Sequence, residues 1–134
     1  MSINLDLVTT FLDELGSGSL DKALDFLTDD ASWAIVQTVR GTSLSKSELR
    51  QRLGMMRESF KDNRLIMTPI SCIEDGNRLA VELESDAQTI LDVAYRNKYC
   101  VIFTIDGNKI SDVREYNDSL HVSQVLVPAI SARA

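Results

Sequence analysis

YRNKYCVIFTIDGNKISDVREY, residues 95–116, holds two β-rich runs, Tyr95–Ile105 and Lys109–Tyr116, joined by Asp106-Gly107-Asn108. A connection this short, with a glycine at its centre, is hairpin chemistry, so the two runs pair antiparallel. Two further runs precede them, Leu65–Ile73 and Arg78–Ser85, joined by Glu74-Asp75-Gly76-Asn77. No helical period interrupts the four, and Ala87–Ala94 reads as a longer connection. The C-terminal half is therefore an antiparallel meander.

The N-terminal half is helical. Leu5, Val8, Phe11, Leu12 and Leu15 make one stripe of an amphipathic helix over residues 3–15, stopped by Gly16-Ser17-Gly18. Ser19 caps a short second helix with Leu20, Ala23, Leu24 and Leu27 inside. From Ala31 to Val39 the β-branched and aromatic content rises (Trp33, Ile35, Val36, Thr38, Val39), which predicts a strand. Ser45-x-x-Glu48 is a capping box for a third helix, with Leu49, Leu53, Met56 and Phe60 inside, ending near Lys61-Asp62-Asn63. The order α-α-β-α-β-β-β-β makes a single α+β domain over residues 1–134, with a core of about 3–126. One strongly curved sheet wraps the helices and leaves a cavity at its open end. The tail from Pro128 reads as loose.

Composition removes whole classes of function. The chain has 134 residues, 14 Lys+Arg against 20 Asp+Glu, and a formal charge of −6. Nucleic acid is not an expected partner, since its binders present a basic face. No apolar run approaches the roughly 18 residues of a membrane span, and the acid in Met1-Ser2-Ile3-Asn4-Leu5-Asp6 argues against a signal peptide. Cys72 and Cys100 each stand alone in an apolar run, as buried thiols of a reducing, cytoplasmic compartment would. One histidine and no CxxC leave no set of ligands for a transition metal, and no cofactor is expected.

Three passages carry a resemblance to a known family: Phe11-Leu12-x-x-Leu15-Gly16, Leu24-x-x-Leu27-Thr28-Asp29-Asp30-Ala31-x-Trp33, and Asp106-Gly107-x-Lys109-Ile110-x-x-Val113-Arg114-Glu115-Tyr116-x-Asp118. Over residues 3–126 the chain resembles the nuclear transport factor 2-like superfamily, and within it the SnoaL-like and ketosteroid-isomerase-related proteins. The resemblance implies a cone-shaped, cystatin-like fold with three N-terminal helices in a curved, mostly antiparallel sheet. It also implies a homodimer packed through the convex sheet face. Members include isomerases, polyketide cyclases, epoxide hydrolases, dehydratases and non-catalytic adaptors, so the fold alone does not give the function.

Carried over residue by residue, the resemblance argues against two of these reactions. The oxyanion-hole tyrosine, general-base aspartate and protonated acid of steroid isomerases fall on Phe11, Ile35 and Val101, which offer neither donor nor carboxylate. Limonene-type epoxide hydrolases space an arginine and an aspartate as Arg96 and Lys98 are spaced here, and a lysine cannot replace the aspartate as proton acceptor. The acid of SnoaL-type cyclases resembles Asp118 in position. A bulge in the last strand would shift the facing by one residue, and Glu115 is then the next candidate.

Other residues carry paired readings. Trp33 is a pocket wall or plain core. Tyr95, Asn97 and Tyr99 share a face with Val101 and Phe103, as a cavity mouth or a dimer surface would. Arg96 and Lys98 point the opposite way and can pair with Glu82, Glu84 and Asp86. Tyr116 accompanies Asp118 in the last-strand motif. His121 is a proton carrier or structural, and Met56 is a flexible pocket wall or core. Three functions follow: an enzyme doing carboxylate acid/base chemistry on a small apolar, carbonyl-bearing or polycyclic molecule; a binding protein for a hydrophobic ligand; or a dimeric adaptor.

Overall fold

Gly76 and Gly107 take φ of 58° and 65° in the two hairpin turns, a left-handed conformation that glycine adopts without steric cost. Around them the computed structural model, which describes residues 2–36 and 42–133, builds one curved sheet holding helices in its concave face. The elements are α1 (Ile3–Gly16), α2 (Leu20–Asp25), β1 (Leu27–Ile35), β2 (Thr42–Ser45), α3 (Lys46–Glu58), β3 (Ile66–Asp75), β4 (Arg78–Gln88), β5 (Ala94–Tyr95), β6 (Lys98–Asp106), β7 (Lys109–Asn117), α4 (Ser119–His121) and α5 (Val127–Ala132). The strand order is β2-β1-β7-β6-β4-β3, with β5 on β4. All pairs are antiparallel except β1 with β7.

The helices begin where the sequence caps them. Ser2 accepts from Leu5 N–H, Ser19 from Lys22 N–H, and Ser45 and Glu48 complete the capping box, each satisfying amides that have no partner inside the helix. The stripe of α1 is buried, with Phe11 fully enclosed. Its ring meets Phe26, Trp33 and Phe103 at centroid distances of 6.3, 6.1 and 6.3 Å. Phe11, Leu49, Leu79, Val81, Val101, Phe103, Ile110 and Val113 belong to the main core.

Four expectations change. The first strand starts at Leu27 rather than Ala31, running through Thr28-Asp29-Asp30 because a register shift before Ser32 lets these polar residues face solvent; Thr38 and Val39 lie outside the described residues. The third helix ends at Glu58, and Lys61–Asn63 form a separate 3-10 turn. Tyr95 is not in the strand of Tyr99: it lies in β5 opposite Ala87, because β4 continues to Gln88. The tail from Pro128 is not loose. Val122–Leu126 form a π-helical turn and Val127–Ala132 a helix that Pro128 opens, a position where its missing N–H costs nothing. Leu126 and Ile130 pack with Phe60, Leu65, Tyr95 and Met56 in a second small core, and Arg133 reaches Glu58 at 3.4 Å.

Gly16 joins the helices to the sheet. Leu65 N–H donates to its carbonyl at 2.8 Å, and a Cβ there would sit 2.0 Å from the Leu65 carbonyl oxygen. Backbone meets backbone, so neither side can yield cheaply. Gly16→Ala is expected to cost about 1–3 kcal/mol, read as a lower urea midpoint; an unchanged midpoint would refute the close approach.

Candidate functional site

Alternation along β7 sends Val113, Glu115 and Asn117 to the concave face and Arg114 and Tyr116 to the convex one. Glu115 stands opposite Val101 of β6 and beside Ile35 of β1. Those are two of the three positions onto which the steroid-isomerase residues fall. A carboxyl therefore does occupy this zone, supplied from the strand between them. Trp33 Nε1–H donates to Glu115 Oε1 at 3.1 Å and Asn117 Nδ2 donates to Oε2 at 2.7 Å. Burial pushes the Glu115 carboxyl above its ordinary range, and the bonds from Asn117 and Trp33 only partly offset this. Trp33 is thus core and site wall together: 6% exposed, against Phe11 on one side and bonded to Glu115 on the other.

A ring of hydroxyl and amide groups lies alongside. Tyr99 is the register partner of Asn117. Its hydroxyl meets that of Tyr95 at 3.0 Å and donates to Ser85 Oγ at 3.0 Å. Asn97 closes the ring, donating from Nδ2 to Tyr95 Oη at 2.9 Å and from its backbone N–H to Ser85 Oγ at 3.1 Å. Tyr95, Asn97 and Ser85 are buried. Burial raises the pKa of both phenols, so they remain protonated donors. Tyr95, Asn97 and Tyr99 converge although the chain turns between them, because Ser85 and Asn97 are bonded across the break, Ser85 N–H donating to Asn97 C=O at 2.9 Å.

The other expected residues separate. Asp118 is exposed and caps α4, its Oδ1 accepting from the Leu120 and His121 amides at 3.1 and 3.3 Å. This is turn chemistry outside the concave face, whereas Glu115 lies on that face opposite Val101. Tyr116 is 39% exposed on the convex side, its register partner there being Cys100. His121 stacks on Tyr95 at 5.2 Å and accepts the Arg96 N–H on Nε2 at 3.1 Å, which ties α4 to the ring of hydroxyls. Met56, half-buried, packs against both cores. Arg96 and Lys98 pair with Asp86 and Glu84 at 3.3 and 3.7 Å in solvent, as their facing predicts. Cys72 and Cys100 are free and half-buried rather than enclosed. Asn117 and Ser85 escaped the sequence reading; counting by twos from buried Val113 reaches Asn117, whereas the role of Ser85 depends on the break after Tyr95.

Two outer grooves, of about 330 and 310 Å³, lie beside α3 and the β3–β4 edge, and neither contains Glu115, Trp33, Tyr95 or Tyr99. Among the described residues no helix is long and apolar enough to cross a membrane.

The SnoaL-like domain pattern matches residues 8–113. No sequence among the curated proteins matches the chain. PrhC from Penicillium brasilianum has a similar structure, with a TM-score of 0.84 at 17% identity over 97% of this chain and 89% of its own. BvnE pinacolase from Penicillium brevicompactum gives 0.83 at 17% identity over 97% and 95%. An NTF2-like protein from Anabaena variabilis gives 0.71 at 22% identity over 87% and 91%. At these identities the likeness is one of fold.

Proposed function

The chain belongs to the SnoaL-like family, and from that premise we propose that it is an enzyme in which Glu115 is the acid/base, acting on a small apolar molecule that carries a carbonyl or polycyclic system. One observation carries the reading: a half-buried carboxyl held at both oxygens by neutral donors and pushed up in pKa by desolvation. A carboxyl so tuned takes and returns protons nearer neutral pH than a solvated one. Protonated Tyr99 beside it, on turning its O–H away from Ser85, supplies a hydroxyl donor for a substrate oxygen on which negative charge develops. The match to a pinacolase supports small-molecule rearrangement chemistry as the class to assay first.

Trp33 is the only tryptophan and bonds to the proposed acid/base, so its emission reports occupancy directly. A panel of polycyclic ketones and phenols is expected to quench it saturably, with chromatography detecting an isomer or rearranged product of the bound member. Glu115→Gln should bind that member and not convert it. Equal conversion by the variant would remove Glu115 from the chemistry, and binding with no conversion by the wild type would make the chain a binding protein.

The chain is further proposed to act as a homodimer in the reducing cytoplasm. Ile73 and Ile70 are 75% and 58% exposed, and Ile102, Ala80 and Ile73 stand in one row across the convex face. A two-fold contact burying this row should clear about 1,000 Å². Light scattering at micromolar concentration should give twice the chain mass, and Ile73→Glu should halve it.

A further inference from the structure

The two partners of Glu115 are not equivalent. Trp33 offers one indole N–H and can only donate, and its buried ring, packed against Phe11, keeps that donor on Oε1. Asn117 ends β7 on the same face and is half-buried. Its amide has a donor end and an acceptor end. A half-turn about its last bond presents N–H to a carboxylate or C=O to a carboxylic acid. A group that cycles between the two forms needs such a partner, because a fixed donor opposes the neutral state and a fixed acceptor opposes the charged one.

We propose that Asn117 is the positioning residue of the site: it fixes Glu115 Oε2 and, by presenting either end of its amide, holds the carboxyl in both its charged and its neutral form. The inference rests on Glu115 being the acid/base. The proton carried on Oε2 is bonded to the Asn117 carbonyl until a substrate atom displaces it, and the amide turns back as the carboxylate is left behind. The groups around Glu115 are few. From β6 it faces Val101 and Tyr99, from β5 Tyr95, and from β1 Ile35 and Trp33. Asp118 lies beyond the strand with its carboxylate on the α4 amides, and His121 is stacked behind Tyr95.

The test needs no substrate. Trp33 emission is followed against pH in the wild type, Glu115→Gln, Asn117→Leu and Asn117→Asp, each checked for folding by circular dichroism. The wild type should show an inflection above the ordinary carboxylate value of 4.5, and Glu115→Gln should abolish it, which also separates it from any signal of His121. In Asn117→Leu the inflection should rise by about one pH unit, because the carboxylate loses a charge-assisted bond and the acid only a neutral one. Asn117→Asp should move it further up, through a like charge at Oε2. If both variants titrate with the wild type while Glu115→Gln is silent, Asn117 is inert and the inference fails alone. If Glu115→Gln retains the inflection, the reading of Glu115 falls with it. Should the leucine variant not fold, the isosteric aspartate variant decides.

Discussion

Glu115→Gln is expected to lower kcat on an identified substrate by about 10²–10⁴-fold, the usual worth of a positioned acid/base, with KM little changed. Glutamine keeps the length and the oxygen that Trp33 donates to, so the loss isolates the proton. The same variant should be more stable than the wild type at neutral pH. Desolvation places the folded value of Glu115 above the 4.5 of an ordinary carboxyl. Between those two values the native state binds more protons than the unfolded one, so stability falls as pH rises. The contribution is present below the ordinary value and lost on passing through the raised one; removing the carboxyl removes the loss. Thermal melts of both proteins at pH 4 and pH 8 should therefore diverge only at the higher pH. Parallel melts would place Glu115 in water.

Phe11→Ala is expected to cost about 3–5 kcal/mol, the range for emptying a fully buried phenylalanine site, measured by urea denaturation. Its ring fastens α1 to α2's end, β1 and β6 at once through Phe26, Trp33 and Phe103. No single neighbour can collapse into the space without abandoning another. A loss under 1 kcal/mol would mean that the aromatic cluster is loosely packed.

The meander, the capped helices and the α+β class were legible because each rests on local chemistry: Gly76 and Gly107 in turns, Ser45 with Glu48, the α1 stripe. What failed was decided at a distance. Thr28-Asp29-Asp30 breaks a helical period and reads as an end, yet it is carried within a strand because Leu27 and Ser32 on either side pair with Ile110 and Asp112 of β7. Pro128 reads as a stop, yet it opens a helix that Phe60 and Tyr95 hold in place. The site divided the same way. Alternation along β6 puts Tyr99 in line with Val101 and Phe103, whereas the bonds of Asn97 across the break and the cap that Asp118 makes on α4 required knowing where β4 and β7 end.

The parallel pairing of β1 with β7 has a consequence for how the protein is made. Ser32 meets Asp112 and Trp33 meets Glu115, contacts that link the first strand to the last. Such long loops close slowly, which makes this pairing a late step in folding. At about 5–20 residues per second of synthesis, α1, β1 and α3 leave the ribosome seconds before β7 exists to receive them. Their apolar stripes wait in water for that interval, so the nascent chain exposes surface that the finished protein buries.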